Sequence, residues 1–283
     1  MKNRILSLKN IIWAIGIVLC LIALLVGLIF AVASKYGGEQ EDGRLYLGGE
    51  PVKSPSQSVE ADGGSGGSAA LTGTGSLNTL AESADAGQSY IDSLTFLCDS
   101  SLLGLRDFGL LTGGAATAQL WASAAGNIPA ASLSQCAIVY PGDGSELGAA
   151  GAAALAKPAI LVISLGMDGL AEVDQMSFTA AYTELLNNIH AASPDTVLVC
   201  CSLSSVIDGY SGADGLTAEM AAAANGWLQQ VCTDTGVYYA DISSVICNGE
   251  YSLTNSYASS NGKSLNSAGL SLVLQYLRTH AVS

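Results

Sequence analysis

The 283-residue sequence is poor in positive charge and in histidine. Ten lysine and arginine residues stand against 24 aspartate and glutamate residues, so the net charge is −14. Such an acidic chain repels phosphate backbones and lacks the basic stripe of a nucleic-acid-binding surface, so nucleic-acid binding is excluded. Only two histidines are present, His190 and His280, and no Cys/His cluster has metal-ligand spacing. We therefore expect no metal and no other cofactor.

Charge is absent altogether from residues 11–34, which are mostly isoleucine, leucine, valine and alanine. About 20 such residues in a helix cross a hydrocarbon core of about 30 Å, so this stretch predicts a single transmembrane helix. Basic residues precede it and acidic residues follow Lys35, so residues 1–10 are expected in the cytoplasm and the rest outside the cell. The alternative is a cleaved signal peptide ending near Ala31-Val32-Ala33, but the apolar stretch is longer than the usual h-region.

Large apolar residues are also scarce in residues 35–88, which carry excess acid and include the Gly/Ser run 63–68. Such a segment cannot offset its ordering entropy by burying apolar surface. We predict a flexible acidic linker that holds the following domain at the cell surface.

From residue 89 to residue 283, apolar runs alternate with helical patterns. Apolar runs of this length are typical of strands that are buried on both faces of a parallel sheet. The runs are Leu94–Cys98, Ala159–Leu165, Thr196–Cys201 and Val237–Ala240. Amphipathic helices are predicted between and after them, and the alternation predicts one α/β domain with a parallel sheet. Functional residues are expected at the carboxyl ends of its strands.

Three segments at or near those strand ends resemble the conserved blocks of the SGNH/GDSL hydrolase family. Residues 96–102 resemble the first block, in which a strand runs into Gly-Asp-Ser with the serine as nucleophile. Residues 165–169 resemble the block whose asparagine donates to the oxyanion, and residues 258–266 resemble the block Asp-Gly-x-His-Leu-Asn that supplies the triad acid and base. The resemblance implies a flavodoxin-like three-layer α/β/α domain with esterase chemistry.

The resemblance also assigns a place to each candidate residue. Ser100 stands at the nucleophile position, Asn261 at the acid position and Ser264 at the base position. Asp168 stands where the family has its oxyanion asparagine, and Gly126 is the candidate for a glycine whose backbone N–H also binds the oxyanion.

Four of these blocks' positions depart from the family pattern. Cys98 replaces the glycine before the Asp-Ser pair, Asp168 replaces the oxyanion asparagine, and Asn261 and Ser264 replace the triad aspartate and histidine. A serine hydroxyl is a poor nucleophile without a base within hydrogen-bond reach, and a carboxylate opposes the developing oxyanion. We therefore expect weak or absent hydrolysis.

The remaining candidates for chemistry are the two histidines and the cysteines. His190 and His280 are expected on the surface, because one lies on the polar side of a helix and the other follows the last helix. Six of the seven cysteines lie in the predicted outer domain, where buried free thiols are favoured. Cys232 and Cys247 are the pair most compatible with a disulfide.

Two functions of different kinds remain open. The first is a membrane-tethered domain that is catalytically impaired and binds a carbohydrate or other cell-envelope ligand in the cleft. The second is an active serine esterase that acts on cell-envelope or environmental carbohydrate esters. The retained Ser100 supports the second, and the combined loss of base, acid and oxyanion amide supports the first.

Overall fold

A computed structural model describes residues 78–249 and 251–282, in which strands and helices alternate around one parallel sheet. The strands are β1 (Leu94–Cys98), β2 (Leu120–Trp121), β3 (Ala137–Val139), β4 (Glu146–Gly148), β5 (Ile160–Ser164), β6 (Val197–Cys201) and β7 (Tyr238–Ala240). The helices are α1 (Gly87–Ser93), α2 (Gly104–Asp107), α3 (Ala149–Ala156), α4 (Gln175–Ala192), α5 (Ala218–Thr235), α6 (Ser243–Ile246) and α7 (Ser267–Thr279).

The central sheet has the strand order β2-β1-β5-β6-β7, and all four of its pairings are parallel. Counted within the sheet this order is 2-1-3-4-5, the order of flavodoxin-like folds. Strands β3 and β4 form a separate antiparallel pair. The prediction of an α/β domain with a parallel sheet is confirmed.

Alternate residues of each central strand enter two different cores, because side chains of a strand point to opposite faces. Leu97, Ile163 and Cys200 pack with α3, α4 and α5 on one face. Cys98 and Val199 pack on the other face with α1, α6 and α7. Helices therefore cover both faces, which explains why these strands read as continuous apolar runs.

The bounds of the predicted strands agree closely with the structure. Strand β1 has the predicted bounds, β5 is shorter by one residue at each end, and β6 and β7 each begin one residue later. Strand β2 was not predicted, because two residues are too few to show a pattern.

Helix capping sets the position of the chain before the last helix. Asn266 is the N-cap of α7, and its side-chain oxygen accepts hydrogen bonds from the N–H groups of Ala268 and Gly269, each at 3.0 Å. Its own N–H donates to the carbonyl of Tyr257. A capping asparagine held at both ends in this way fixes the turn of residues 261–264 that comes just before it.

The last residues of the predicted linker, 78–88, lie on the domain. Thr79 forms a parallel bridge with Tyr239 of β7, and Leu80 is buried. Asp85 forms an ion pair with Arg278 at 2.7 Å. The chain therefore joins the domain before residue 89, because this segment adds hydrogen bonds and apolar contact beside β7. The rest of the predicted linker and the predicted cytoplasmic segment lie outside the described residues.

Within the described part of the chain, no helix has both the length and the apolar character needed to cross a membrane. The transmembrane helix predicted over residues 11–34 lies outside this part and stays a prediction.

The six cysteines of the described residues are free thiols. The Cys247 thiol donates to the carbonyl of Ser204 at 3.3 Å, while Cys232 is fully buried beside Cys200. The pairing of Cys232 with Cys247 that we considered is therefore not seen.

Candidate active site

The carboxyl end of β1 holds a buried carboxylate, Asp99, which ties β1 to β5. One of its oxygens accepts the N–H of Ser101 at 3.0 Å, and the other accepts those of Gly166 and Met167, both at 2.9 Å. The Asp168 N–H also donates to it at 3.4 Å. Burial raises the pKa of Asp99, and the neighbouring charge of Asp168 raises it further. The hydrogen bonds of Asp99 join the ends of β1 and β5 and fix Ser100 beside the loop after β5.

Ser100 and Asp168, which are 68 residues apart in sequence, are in direct contact. The Ser100 hydroxyl donates to Asp168 Oδ1 at 2.6 Å. Asp168 is largely buried, and its own carbonyl accepts the N–H of Ala130 at 2.6 Å. The serine is thus held by a carboxylate acceptor on the neighbouring strand end.

The second oxygen of Asp168 is bound by two backbone donors. Oδ2 accepts the N–H of Ser100 at 3.1 Å and that of Ile128 at 3.3 Å. Two N–H groups that converge beside a serine are the arrangement that stabilises an oxyanion in acyl transfer. Here a carboxylate oxygen of the protein itself accepts both of them.

The N–H of Gly126, the predicted oxyanion donor, does not donate to Asp168. It donates to the carbonyl of Ser123 at 3.0 Å and closes a tight turn in which Gly126 has a φ of +74°. The N–H that reaches the site belongs to Ile128, two residues later. The Gly126 N–H is thus engaged inside its turn, and the backbone donor that reaches Asp168 is that of Ile128. The oxyanion role given to Gly126 stays a prediction.

Lys263 connects Asp168 to a second carboxylate. Its ammonium group lies 3.3 Å from Asp168 Oδ1 and 3.2 Å from Asp214 Oδ2, and the hydroxyl of Tyr210 donates to the same Asp214 oxygen at 3.2 Å. Burial alone lowers the pKa of Lys263, but the attraction of both carboxylates outweighs burial and raises it. The pKa of Asp214 is lowered, because hydrogen bonds from Lys263 and Tyr210 outweigh its burial. Lys263 is therefore a firmly charged ammonium and not a neutral base.

The two triad positions of the last block contact each other. Asn261 Nδ2 donates to the Ser264 hydroxyl at 3.0 Å, and Asn261 Oδ1 accepts the N–H groups of Lys263 and Ser264 at 3.0 and 2.9 Å. Gly262 between them has a φ of +70°, and a side chain there would collide with Ile207. The turn therefore keeps the acid and base positions adjacent and turns Lys263 toward Asp168.

The structure thus brings four of the five predicted site residues to one edge of the sheet. Ser100 contacts Asp168, Asn261 contacts Ser264, and Lys263 links the two pairs. The roles assigned to these residues stay predictions.

Neither histidine belongs to this network. His190 lines a cavity with Val197, the first residue of β6, and Ser100 lies two residues after the end of β1. Because the strands are parallel, these two positions lie at opposite edges of the sheet. His280 stacks on the Tyr276 ring with centroids 3.8 Å apart. Among residues 78–249 and 251–282, no group of three His, Cys, Asp or Glu side chains could hold a metal ion.

A family model described as GDSL-like lipase/acylhydrolase matches residues 92–265 of the chain. This match spans more than half of the sequence and includes every residue of the network above. The chain belongs to the GDSL-like lipase/acylhydrolase family. The resemblance drawn from the three blocks is confirmed.

Several solved structures are similar to parts of this chain. A structure described as a putative platelet activating factor from Streptococcus pneumonia is 14% identical with a TM-score of 0.50, covering 66% of this chain and 82% of its own. A carbohydrate esterase family 3 protein from Talaromyces cellulolyticus is 19% identical, with a TM-score of 0.42 over 65% of this chain and 93% of its own.

A GDSL-like lipase from Bacteroides thetaiotaomicron is 10% identical, with a TM-score of 0.46 over 69% of this chain and 89% of its own. No curated protein is similar enough in sequence to give a significant match. At these identities the likeness to solved structures concerns the fold alone.

Three members of the GDSL-like site were missed from the sequence: Lys263, Asp214 and Ile128. The sequence did contain a feature that could have identified Lys263. It is one of only four lysines and arginines in the described residues, and it lies inside the last block. A rare cation beside a position where the family has histidine suggests a partner for an acidic replacement such as Asp168. Asp214 and the Ile128 N–H lie in loops whose sequence gives no comparable signal.

The chemistry open to this GDSL-like site is limited by its base and by its oxyanion donors. The acceptor within reach of the Ser100 hydroxyl is the Asp168 carboxylate. This carboxylate also accepts hydrogen bonds from two backbone N–H groups and lies 3.3 Å from the Lys263 ammonium. The arrangement therefore holds the serine hydroxyl in place.

Proposed function

We propose that this chain is a membrane-anchored, extracellular member of the GDSL-like family that binds a carbohydrate or other cell-envelope ligand and has little or no hydrolytic activity. One observation carries the proposal. The Asp168 carboxylate accepts the N–H groups of both Ser100 and Ile128, which occupies the place of an oxyanion.

This carboxylate opposes hydrolysis in two ways. A tetrahedral intermediate at Ser100 would develop negative charge beside an existing negative charge, and it would have to compete for donors that are already bound. Removing a single oxyanion donor costs about 10²–10³ in rate. A further obstacle does not involve this carboxylate. Ser264, at the base position, has no group that acts as a base at neutral pH.

The charges of the cleft favour a neutral, hydroxyl-bearing ligand. Lys263 is shared between Asp168 and Asp214, so its positive charge is not free to attract an anion. Carboxylate oxygens can accept hydrogen bonds from the hydroxyl groups of a sugar, and the hydroxyls of Ser100 and Ser264 can accept such bonds or donate them. The carbohydrate part of the proposal rests on these carboxylate and hydroxyl groups of the cleft. The membrane-anchoring part rests on the uncharged residues 11–34.

The catalytic part of the proposal is tested with the purified full-length chain and p-nitrophenyl acetate. We expect the wild type and Ser100→Ala to give the same rate, and we expect no labelling of Ser100 by a fluorophosphonate. Ser101→Ala is the matched control, because its hydroxyl contacts Ser164 and not Asp168. Hydrolysis or labelling that is lost in Ser100→Ala and kept in Ser101→Ala would contradict the proposal.

That outcome would support the second candidate, an active serine esterase on carbohydrate esters. The observation that favours it is the retained Ser100, whose hydroxyl has an acceptor at 2.6 Å. Ligand binding is tested by affinity electrophoresis of the full-length chain in gels that contain soluble neutral polysaccharides. Retardation by at least one of them that is reduced in Asp168→Ala supports a binding role for the cleft, and mobility that no polysaccharide changes opposes it.

The topology is tested by adding protease to intact cells that express the chain with a C-terminal epitope. We expect release of a fragment that begins before residue 78, because residues 78–88 lie on the domain. Protection of the epitope until the membrane is permeabilised would contradict the proposed orientation.

A further inference from the structure

A second cavity of about 300 Å³ lies at the carboxyl ends of β6 and β7. Ser205 from the loop after β6 and Asn225 from α5 line one part of it. Asp241 and Ser243 after β7 and the exposed Tyr251 line the rest. None of these residues belongs to the hydrogen-bond network around Ser100, and nothing in the proposed function uses them.

Two buried hydroxyl groups beside this cavity have no hydrogen-bond partner. Ser204 and Ser205 are each 2% exposed, and neither side-chain oxygen is bonded. A buried hydroxyl without a partner costs about 1–3 kcal/mol, so such groups are rare unless a ligand or water completes them. Only Ser205 is among the residues that line the cavity. A molecule bound in the cavity would complete this hydroxyl by donating a hydrogen bond to it or accepting one from it.

The backbone at this cavity is strained in two places. Within the described residues, three non-glycine residues have a positive φ, and two of them, Ser205 at +72° and Tyr251 at +64°, line this cavity. Such conformations are unfavourable for residues with a side chain and cluster at ligand sites. The Asn225 side chain holds the segment before Ser205 in place, because its oxygen accepts the Leu203 N–H at 2.6 Å.

The side chains that line this cavity indicate which kind of ligand it can bind. Hydroxyl and amide groups come from Ser205, Ser243 and Asn225, and Asp241 contributes a carboxylate that accepts the Ser243 hydroxyl at 2.6 Å. No lysine or arginine is among the described residues that line the cavity, so a phosphate or carboxylate ligand would meet only negative charge. Tyr251 is 65% exposed and presents a flat apolar ring at the rim.

We propose that this cavity binds a single neutral sugar ring. The hydroxyls of the sugar would pair with Ser205 and Asp241, and one apolar face would lie against the Tyr251 ring. The volume is at the lower end of about 300–1,000 Å³ for small-molecule sites, which fits one ring and not a chain. The inference is independent of the proposed function of the Ser100 cleft.

The test uses the full-length chain in a detergent without a sugar headgroup. Titrations with D-glucose, D-galactose, D-xylose and N-acetyl-D-glucosamine are followed by saturation-transfer NMR. We expect saturable binding of at least one of these sugars. We further expect Ser205→Ala and Tyr251→Ala each to weaken it about tenfold, which corresponds to about 1.4 kcal/mol.

Ser204→Ala is the matched control. It removes an equally buried and unpaired hydroxyl from the neighbouring residue, but this hydroxyl does not line the cavity. Neither serine variant should lower the thermal unfolding midpoint, because each removes a group without a partner. Binding that Ser205→Ala weakens and Asp168→Ala does not belongs to this cavity. Binding that Asp168→Ala weakens and Ser205→Ala does not belongs to the Ser100 cleft, so the two sites are distinguishable.

Three results would overturn the proposal. The first is the absence of saturable binding for all four sugars, and the second is an equal effect of Ser204→Ala and Ser205→Ala. The third is tighter binding of D-glucosamine than of D-glucose that depends on Asp241, since this would show recognition of a cation instead of a neutral ring.

Discussion

The strand ends after β1 and β5 each carry a carboxylate, and the two carboxylates have different kinds of partners. Asp99 is fully buried and accepts hydrogen bonds from four backbone N–H groups, and its side-chain partner is the hydroxyl of the buried Ser101. Asp168 accepts two backbone N–H groups, but also the Ser100 hydroxyl and the Lys263 ammonium. Backbone partners are fixed with the fold, whereas side-chain partners can rotate away or be replaced by a ligand. Asp99 therefore belongs to the scaffold and Asp168 to the site.

The largest effect that separates the two carboxylates is on stability. Asp99→Ala leaves four buried N–H groups without an acceptor, and we expect it to lower the free energy of unfolding by about 3 kcal/mol. Asp168→Ala should cost about 1 kcal/mol, because Ser100 and Lys263, two of the partners that it leaves, are partly exposed and can bond to water instead. Urea denaturation of both variants measures the difference. A cost for Asp168→Ala as large as that for Asp99→Ala would show that Asp168 is part of the scaffold.

The next effect concerns the side-chain partners of Asp168 and the last block. Ser264→His alone should do little, because Asn261 does not compensate an imidazolium charge and Asp168 still opposes the oxyanion. The triple variant Asp168→Asn, Asn261→Asp and Ser264→His restores base, orienting acid and oxyanion donor together. We expect its kcat/KM for p-nitrophenyl acetate to exceed that of each single variant by about 100-fold, since these groups act as a unit.

The structure supports this design because Asn261 and Ser264 already contact each other at 3.0 Å. Lys263 would keep its ion pair with Asp214 when Asp168 loses its charge. An unchanged thermal transition is the required control for folding. A folded triple variant that is no more active than the wild type would mean that the last block is not positioned to act on Ser100.

The contrast between scaffold and site also decides what the sequence could predict. Strands β1 and β5 were predicted because both of their faces are buried, which produces continuous apolar runs. The family resemblance placed Ser100 and Asp168 in one site, and the structure brings them together because the carboxyl ends of neighbouring parallel strands share one edge. Both features depend on regular backbone structure, and sequence periodicity reports the strands that produce it.

The missed features depend on loops and on the direction of long side chains. Lys263 reaches Asp168 only because the turn at Gly262 aims it there, and no spacing rule gives that direction. The Ile128 donor is a backbone group, which carries no side-chain signal, so Gly126 was chosen in its place. The second cavity is built from the loop after β6, the segment after β7 and α5, and their approach is a tertiary property.

A smaller effect is expected from the ion pairs of Lys263. Lys263→Met leaves Asp168 and Asp214 without their shared cation, and we expect it to lower the free energy of unfolding by about 1–2 kcal/mol at neutral pH. The raised pKa of Lys263 means that its contribution is complete below its ordinary value of 10.5 and is lost as the pH rises through the raised pKa. The lowered pKa of Asp214 means that its contribution is complete above 3.8 and is lost as the pH falls through the lowered pKa.

The stability difference between the wild type and Lys263→Met should therefore be constant from about pH 5 to about pH 9 and shrink outside that window. Thermal unfolding across pH 3–11 measures it. Lys157→Met is the control, because Lys157 is exposed and has no ion pair among the described residues. A difference that grows in acid would contradict the lowered pKa of Asp214.

The smallest effect is expected at the outer end of the network, where Tyr210 donates to Asp214 at 3.2 Å. Tyr210→Phe removes this hydrogen bond but keeps the ring, and solvent reaches the pair. We expect a loss of about 0.5 kcal/mol in the free energy of unfolding. The loss should vanish as Asp214 becomes protonated, because the hydroxyl stabilises its charged form. Tyr238→Phe, at an exposed tyrosine of β7, is the matched control. A loss that persists unchanged in acid would mean that Tyr210 acts through packing and not through Asp214.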